Sequence, residues 1–254
     1  KAGYAQYEYN FDPSIKLKTN VRYEKNSLNY NGTSDGLNQK WEKITLPPIR
    51  FNIDHAMFGY RTALHYLKDK FTSFYGSVSQ GYKSGGVNQQ PFLSDASRPY
   101  EPEFIQNFEI GLKRATKKYQ TQLSAFYSLR KDQQVSVSSQ QDKENPNSFL
   151  FYTGNAGSGT IQGFEWENTL NLSSNLNMDA SLGYLTTWVN KFTYFAAEGV
   201  EAIGGDREAA MSPKMTGSVG FNFKNNSGIF GLVQMSFKDE YYFSDSHNQK
   251  SKPY

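Results

Sequence analysis

Apolar and polar residues alternate with a period of two along most of this chain. The clearest run is 119–137, YQTQLSAFYSLRKDQQVSV, which contains no Gly or Pro. Tyr119, Thr121, Leu123, Ala125, Tyr127 and Leu129 share one face, and Gln120, Gln122, Ser124, Ser128 and Arg130 share the other, with Phe126 the exception. Such a period marks a half-buried strand rather than a helix. Ile15, Leu17, Val21 and Tyr23 alternate with Lys16, Lys18, Asn20 and Arg22. Leu176, Met178, Ala180, Leu182 and Tyr184 alternate with Asn177, Asp179 and Ser181. Two further runs end the series: Met215, Val219, Phe221 and Phe223, then Ile229, Val233, Met235 and Phe237. The pattern predicts ten strands at 2–11, 15–29, 47–66, 71–83, 103–115, 119–138, 160–172, 176–192, 214–224 and 229–243. The third is the weakest, because Ile53–Phe58 alternates poorly.

The connections alternate too. Short polar turns are predicted at 12–14, 68–70, 116–118, 173–175 and 225–228. Between them lie long Gly-, Asn-, Ser- and Asp-rich stretches at 30–43, 84–101, 139–159 and 193–213. A strand of about 15 residues spans ~50 Å at ~3.3 Å per residue. Tilted by ~45° it rises ~35 Å, more than the ~25 Å apolar band of an outer membrane. Aromatic residues gather beside the short turns: Tyr7, Tyr9, Phe11, Tyr66, Phe71, Tyr119, Phe221 and Phe223. A girdle at one membrane interface has this form. The competing reading, a soluble sandwich with aromatic corners, rarely needs such long strands or loops on one side alone. The expected fold is therefore all-β: an antiparallel up-and-down transmembrane barrel. On this register Leu123, Tyr127, Leu182 and Tyr184 face lipid, and Gln122 and Ser181 face the lumen.

Composition sharpens this picture. Among 254 residues, 18 Tyr and 19 Phe bring the aromatic share to 16%, while the hydrophobic share is only 37%. Aromatic-rich but polar chains fit strands in which every second side chain meets water. The net charge of +3 is mild and the basic residues are scattered, so no nucleic-acid footprint is indicated. Cysteine is absent, which rules out disulfides and thiolate metal sites. No stretch approaches the ~18 apolar residues of a transmembrane helix, the best patch being Phe149–Tyr152. The chain opens at Lys1 with no visible signal peptide, compatible with a mature, processed or fragmentary protein.

Six segments, in order, resemble the barrel of TonB-dependent outer-membrane receptors. The first is SVSQGYKSGGVNQ at 77–89, where a strand ending in Gly81-Tyr82-Lys83 runs into Gly85-Gly86. The others are YEPEFIQNFEIGLKRA at 100–115, NAGSGTIQGFEWENTLNL at 155–172, SLGYLTTW at 181–188, SPKMTGSVGFNF at 212–223 and DEYYFSDSHNQKSKPY at 239–254. The resemblance implies a 22-stranded barrel in the bacterial outer membrane with an N-terminal plug. It implies uptake of a scarce nutrient, most often a ferric siderophore, energised by a TonB-type coupling protein acting through the plug. No segment of 1–254 resembles a plug, and SHNQKSKPY reads as loop, so the expectation is a partial barrel of about ten strands, lacking the closing strands.

The candidate chemistry points to binding rather than catalysis. His55, His65 and His247 are too far apart in sequence for a metal motif, and no cofactor is expected. No Gly-x-Ser-x-Gly elbow is present. Glu165 and Glu167 share a strand face and read as lumen-facing charge. Asn145-Pro146-Asn147 only faintly echoes the histidine loop of haem receptors, with no histidine near it, so haem uptake is disfavoured. Ferric siderophores are often anionic and partly aromatic, which suits Arg and Tyr through charge-assisted bonds and stacking. Ligand-binding candidates in the loops and upper lumen are Tyr82, Lys83, Arg98, Tyr100, Tyr152 and Arg207. Two other functions are weighed: a small self-sufficient barrel enzyme (protease or lipase), and a soluble carbohydrate-binding β domain.

Overall fold

The computed structural model describes residues 1–37, 42–90, 93–140, 149–197, 200–244 and 247–254. In chain order the strands are β1 (Ala2–Asn10), β2 (Ile15–Gly32), β3 (Asp35–Leu37), β4 (Lys43–Thr45), β5 (Ile49–Asp69), β6 (Thr72–Lys83), β7 (Gly86–Val87) and β8 (Pro99–Tyr100). They continue as β9 (Glu103–Ala115), β10 (Tyr119–Gln140), β11 (Phe149–Asn171), β12 (Leu176–Val189), β13 (Phe192–Ala197), β14 (Val200–Gly204), β15 (Met215–Lys224) and β16 (Phe230–Lys238). Ten form one sheet in the order β1-β2-β5-β6-β9-β10-β11-β12-β15-β16. The other six make three small pairs, β3–β4, β7–β8 and β13–β14, all on the long connections. Every long strand pairs antiparallel with its predecessor, which is the predicted up-and-down order. The short turns therefore all lie on one rim and the long connections on the other.

Each short turn is pinned by a polar side chain at its start. Asp12 accepts the N–H groups of Ser14 (2.6 Å) and Ile15 (2.9 Å). Asp69 accepts that of Phe71 (2.7 Å), and the Thr116 hydroxyl that of Tyr119 (3.0 Å). Ser173 accepts from Asn175 (3.2 Å), and Asn225 from Ser227 (3.1 Å) and Ile229 (3.0 Å). These side chains substitute for backbone partners in tight turns.

The two faces of the sheet differ as the alternation predicts. One row runs Leu112–Leu123–Trp166–Leu182 across β9 to β12, and the next runs Ile110–Ala125–Phe164–Tyr184. Leu123, Tyr127 and Tyr184 are 41–44% exposed, as side chains meeting lipid must be in the bare chain. The opposite row carries Lys113, Gln122, Glu167 and Ser181. This polar face is laced by cross-strand bonds: Tyr75 to Glu109 (2.7 Å), Ser128 to Asn107 (2.7 Å), Asn222 to Asp179 (2.6 Å) and Ser181 with Ser218 (2.8 Å). Even the small Ser124 and Ser128 are buried there, so the polar face is the crowded, inward-curving one. Glycine lets aromatic rings lie flat along it, as Tyr75 does over Gly111, where a Cβ would strike the ring.

Above the apolar band the pattern inverts. On β5, Phe58 stands outward and exposed, but Ile49 and Met57, of opposite parity, are buried and Arg50, Asn52 and Asp54 are exposed. On β10, Asp132 adopts φ 53°. Above it Val135 and Val137, with the parity of Leu123, are buried. Lipid no longer rewards outward apolar groups there, so they turn under the loops. This explains the poor alternation of 53–58.

Several predicted boundaries need correction. The expected loop at 139–159 is largely strand, because β10 and β11 run on to Gln140 and Phe149. With 22 residues, β10 spans ~70 Å, far more than the membrane needs. The upper part of this hairpin, Ser-rich on β10 and Gly-rich on β11, packs one side under the loops rather than against lipid and so carries little of the amphipathic signal. At the other end of the sheet, β16 stops at Lys238 rather than 243. Residues 38–41, 91–92, 141–148, 198–199 and 245–246, which include Asn145-Pro146-Asn147 and parts of the four long stretches, lie outside the described residues. Finally, β1 and β16 each bond to one neighbour, and Tyr4 and Phe230 are 85% and 82% exposed.

Candidate ligand-binding rim

The 84–101 and 190–207 connections meet the upper ends of β10 and β11, and buried polar side chains fix the first of them there. The Asn88 amide donates to the carbonyls of Ser97 (3.1 Å), Arg98 (3.2 Å) and Thr153 (2.8 Å) and accepts the Thr153 N–H (2.8 Å). One side chain thus ties the 84–101 connection to β11. Glu103, 8% exposed, accepts the Arg130 guanidinium (Nε 2.7 Å) and the Gln134 N–H (2.9 Å). Gln134 donates to the carbonyls of Ser84 (3.0 Å) and Glu101 (3.1 Å), and Asn155 to those of Glu101 (3.0 Å) and Asp132 (2.8 Å). His55 lies 3.6 Å from the Glu101 carboxylate. None of these tethers was picked out from the sequence, because isolated Asn, Gln and Glu among polar residues carry no period.

The six candidate residues do not form one patch. The Tyr82 hydroxyl accepts from Arg22 (2.9 Å) and donates to Glu24 (3.0 Å), beside a shallow concavity between β1, β2, β5 and β6. Lys83 is exposed at the end of β6, opposite Glu103. Arg98 is 3% exposed and donates to Asp95 (3.0 Å) and the Gln90 carbonyl (2.8 Å), which orders its own loop. Tyr100 lies over Gly86 in the β7–β8 pair. Tyr152 is buried among Leu93, Val135, Val137, Ala156 and Val189. Arg207 is half-buried, bridges to Val189 through the backbone, and donates Nε to the Gly205 carbonyl (3.0 Å).

Tyr152 and Arg207 border two adjoining cavities. The larger, about 290 Å3, lies between β10 and the β13–β14 hairpin and includes Arg207 in its lining. The smaller, about 170 Å3, includes Tyr152, Ser97 and Pro99. Val137, Phe192 and Tyr194 line both. Beside the larger, Glu208 is held by Lys214 at 2.6 Å, and this carboxylate keeps the Lys214 ammonium above its ordinary pKa. Among the described residues no group of three or more His, Cys, Asp or Glu side chains is placed to hold a metal.

A consecutively paired antiparallel sheet with an apolar outer face, a hydrogen-bonded polar inner face and tethered loops on one rim is the wall of a bacterial outer-membrane β-barrel. The family model described as "TonB dependent receptor-like, beta-barrel" matches residues 1–254, and the chain belongs to that family of outer-membrane transport receptors. Solved structures agree in fold. The ferric yersiniabactin uptake receptor FyuA of Yersinia pestis superposes with a TM-score of 0.76 at 17% identity, over 100% of this chain and 36% of that one. The siderophore receptor PiuA of Acinetobacter baumannii gives 0.73 at 16%, over 100% and 35%. The copper transporter OprC gives 0.76 at 13%, over 100% and 38%. The chain thus spans about a third of the length of these receptors. No curated protein matches it by sequence.

Proposed function

We propose that this chain forms part of the wall and ligand-facing rim of a receptor that imports a ferric siderophore across the outer membrane, and that it acts as a receptor rather than an enzyme. The observation that carries the reading is the amphipathic ten-stranded sheet with its tethered loop rim, in a chain matched throughout by the receptor barrel family. The structural neighbours named for ferric yersiniabactin and siderophores support iron chelates as the cargo. A sheet with free edges at β1 and β16 strands N–H and C=O groups in lipid, where they find no water. In this reading strands outside this chain, or those of another chain, close the barrel toward the 22 that the family resemblance implies. A plug fills the lumen, and a TonB-type partner energises it through that plug. In this reading Tyr82, Lys83 and Tyr100 border the ligand chamber, Arg98 and Tyr152 shape its walls from beneath, and Arg207 reaches the cavity. The test is uptake of radioactive iron by cells grown without free iron, with and without the intact gene. Loss of uptake of a ferric chelate on deletion, restored on return of the gene, is the expected result. Unchanged uptake of every chelate offered would overturn it.

A further inference from the structure

The five short turns differ in charge. Those at 173–175 and 225–228 carry no charged residue, and the one at 12–14 carries only Asp12. The other two, between β5 and β6 and between β9 and β10, lie side by side in the sheet and hold Lys68, Lys70, Lys117 and Lys118, with Arg114 just above them. The Ala115 N–H donates to the Phe71 carbonyl (2.9 Å) and locks the two turns together. All four lysines are exposed. The one carboxylate on either turn, Asp69, accepts the Phe71 N–H (2.7 Å) and lies 4.0 Å from Arg114. The four strands involved span ~15 Å at ~4.8 Å per step, little more than the ~10 Å over which salt screens a charge, so the fields of these cations add. We propose that the two turns form a docking surface for the phosphate groups of anionic phospholipids in the periplasmic leaflet of the outer membrane. The short turns of such barrels face that leaflet. Directly above the lysines the outer face is aromatic: the Tyr66 and Phe74 rings stack at 6.3 Å, and Phe74 stands opposite Leu112. A molecule that meets both features is an amphiphile, with its phosphate at the level of the turns and its hydrocarbon on the rings. A soluble phosphate or an acidic peptide would use the lysines alone. Lysine stems lie along apolar surface while their heads reach polar groups, and clustered basic residues beside a bilayer draw in anionic lipid. A zwitterionic lipid brings its own ammonium group to the cluster and is disfavoured. The surface requires only that the sheet span the outer membrane, whatever cargo the receptor carries.

The experiment uses the intact polypeptide in vesicles of equimolar phosphatidylglycerol and phosphatidylcholine with matched acyl chains. Photoreactive benzoylphenylalanine replaces Phe74 or, as the control, Phe221, which faces outward on β15 opposite Met178, above an uncharged turn. Mass spectrometry identifies the lipid joined at each site. The expected result is at least a threefold excess of phosphatidylglycerol over phosphatidylcholine at 74 and none at 221. High salt is expected to abolish the excess, and so is the joint replacement Lys68→Gln, Lys70→Gln, Lys117→Gln and Lys118→Gln, with the yield at 221 unchanged as the sign that this variant still spans the bilayer. Equal lipid ratios at 74 and 221 in the unaltered turns overturn the proposal without recourse to the variant, and so does an excess at 74 that survives high salt. Loss of the excess on adding millimolar inorganic phosphate at constant ionic strength would assign the turns to a soluble anion and overturn it. Crosslinking at 74 to a polypeptide instead of lipid in whole outer membranes would assign them to a protein partner, with the same consequence.

Discussion

Leu123→Arg probes the assignment of faces most sharply. Leu123 sits four residues above Tyr119 on β10, in the row of Leu112, Trp166 and Leu182. Tyr119 accepts a bond from Arg114 (2.6 Å), which also donates to Thr72 (2.6 Å), as expected of a cation at the edge of the apolar band. Four residues at ~3.3 Å, tilted by ~45°, raise Leu123 ~9 Å above that edge. In a band ~25 Å tall this is close to the midplane, where an Arg costs ~2–4 kcal/mol. Allowing for the short distance to the lower edge, about 2–3 kcal/mol is expected. That is roughly a 30- to 150-fold loss in the folding equilibrium. Gln122→Arg is the control. It points into the polar lumen between Lys113 and Glu167, whose charges oppose each other, and is expected to change stability by less than about 1 kcal/mol. The assay is urea-driven unfolding of the intact polypeptide in lipid bilayers. A neutral Leu123→Arg with a costly Gln122→Arg would refute the register.

Other outcomes follow from the rim and the turns. Asn88→Ala leaves the Thr153 N–H and three carbonyls without their partner. It is expected to cost about 1–3 kcal/mol and to speed amide exchange at 150–155, whereas unchanged exchange there would remove Asn88 as a tether. Glu103→Ala breaks a buried ion pair with Arg130 and is expected to destabilise the barrel by about 3–5 kcal/mol. A shift in urea midpoint equal to that of an exposed control such as Lys43→Ala would contradict this. Bonds from the Ser14 hydroxyl and the Ser14 and Ile15 N–H groups hold the Asp12 carboxyl below its ordinary pKa. A depressed pKa adds stability above the unfolded value that is lost as pH falls through the folded one. The first turn is thus expected to loosen only in acid, with Asp12→Asn flattening that pH dependence of Ser14 amide exchange. Exchange that rises with pH alone in both proteins would count against it.

The legible part of this structure was the part in contact with lipid. Glu103–Ala115 emerged with the predicted limits, and all five turns fell where short polar runs broke the alternation. A bilayer imposes one rule on every strand, and that rule writes itself into residue order. Above the bilayer the rule lapses. The apolar parity switches on β5 at Met57–Phe58, which makes 53–58 read as a weak strand, whereas on β10 Val135 and Val137 keep the parity of Leu123 but pack under the loops, and the Ser-, Asn- and Gly-rich residues beyond them read as a loop at 139–159. The candidate site was less legible for a related reason. Arg98 stands in the sequence as a ligand-binding candidate in a polar loop, and only the fold shows that it also binds the Asp95 carboxylate and the Gln90 carbonyl of that loop. The cavity residues Phe192, Tyr194 and Ile203 sit in a short hairpin of ordinary composition. Only the meeting of that hairpin with β10 makes them a wall.

The central claim, that this sheet separates lipid from a lumen, has a direct measurement because the chain contains no cysteine. Single cysteines placed in turn at 120 to 129, in the intact polypeptide reconstituted in bilayers, can carry a nitroxide spin label. Relaxation by oxygen reports lipid exposure, and relaxation by a water-soluble nickel chelate reports the lumen. The account predicts oxygen dominance at 121, 123, 125, 127 and 129 and nickel dominance at 120, 122, 124, 126 and 128. Equal relaxation at both sets, or the opposite alternation, would contradict it.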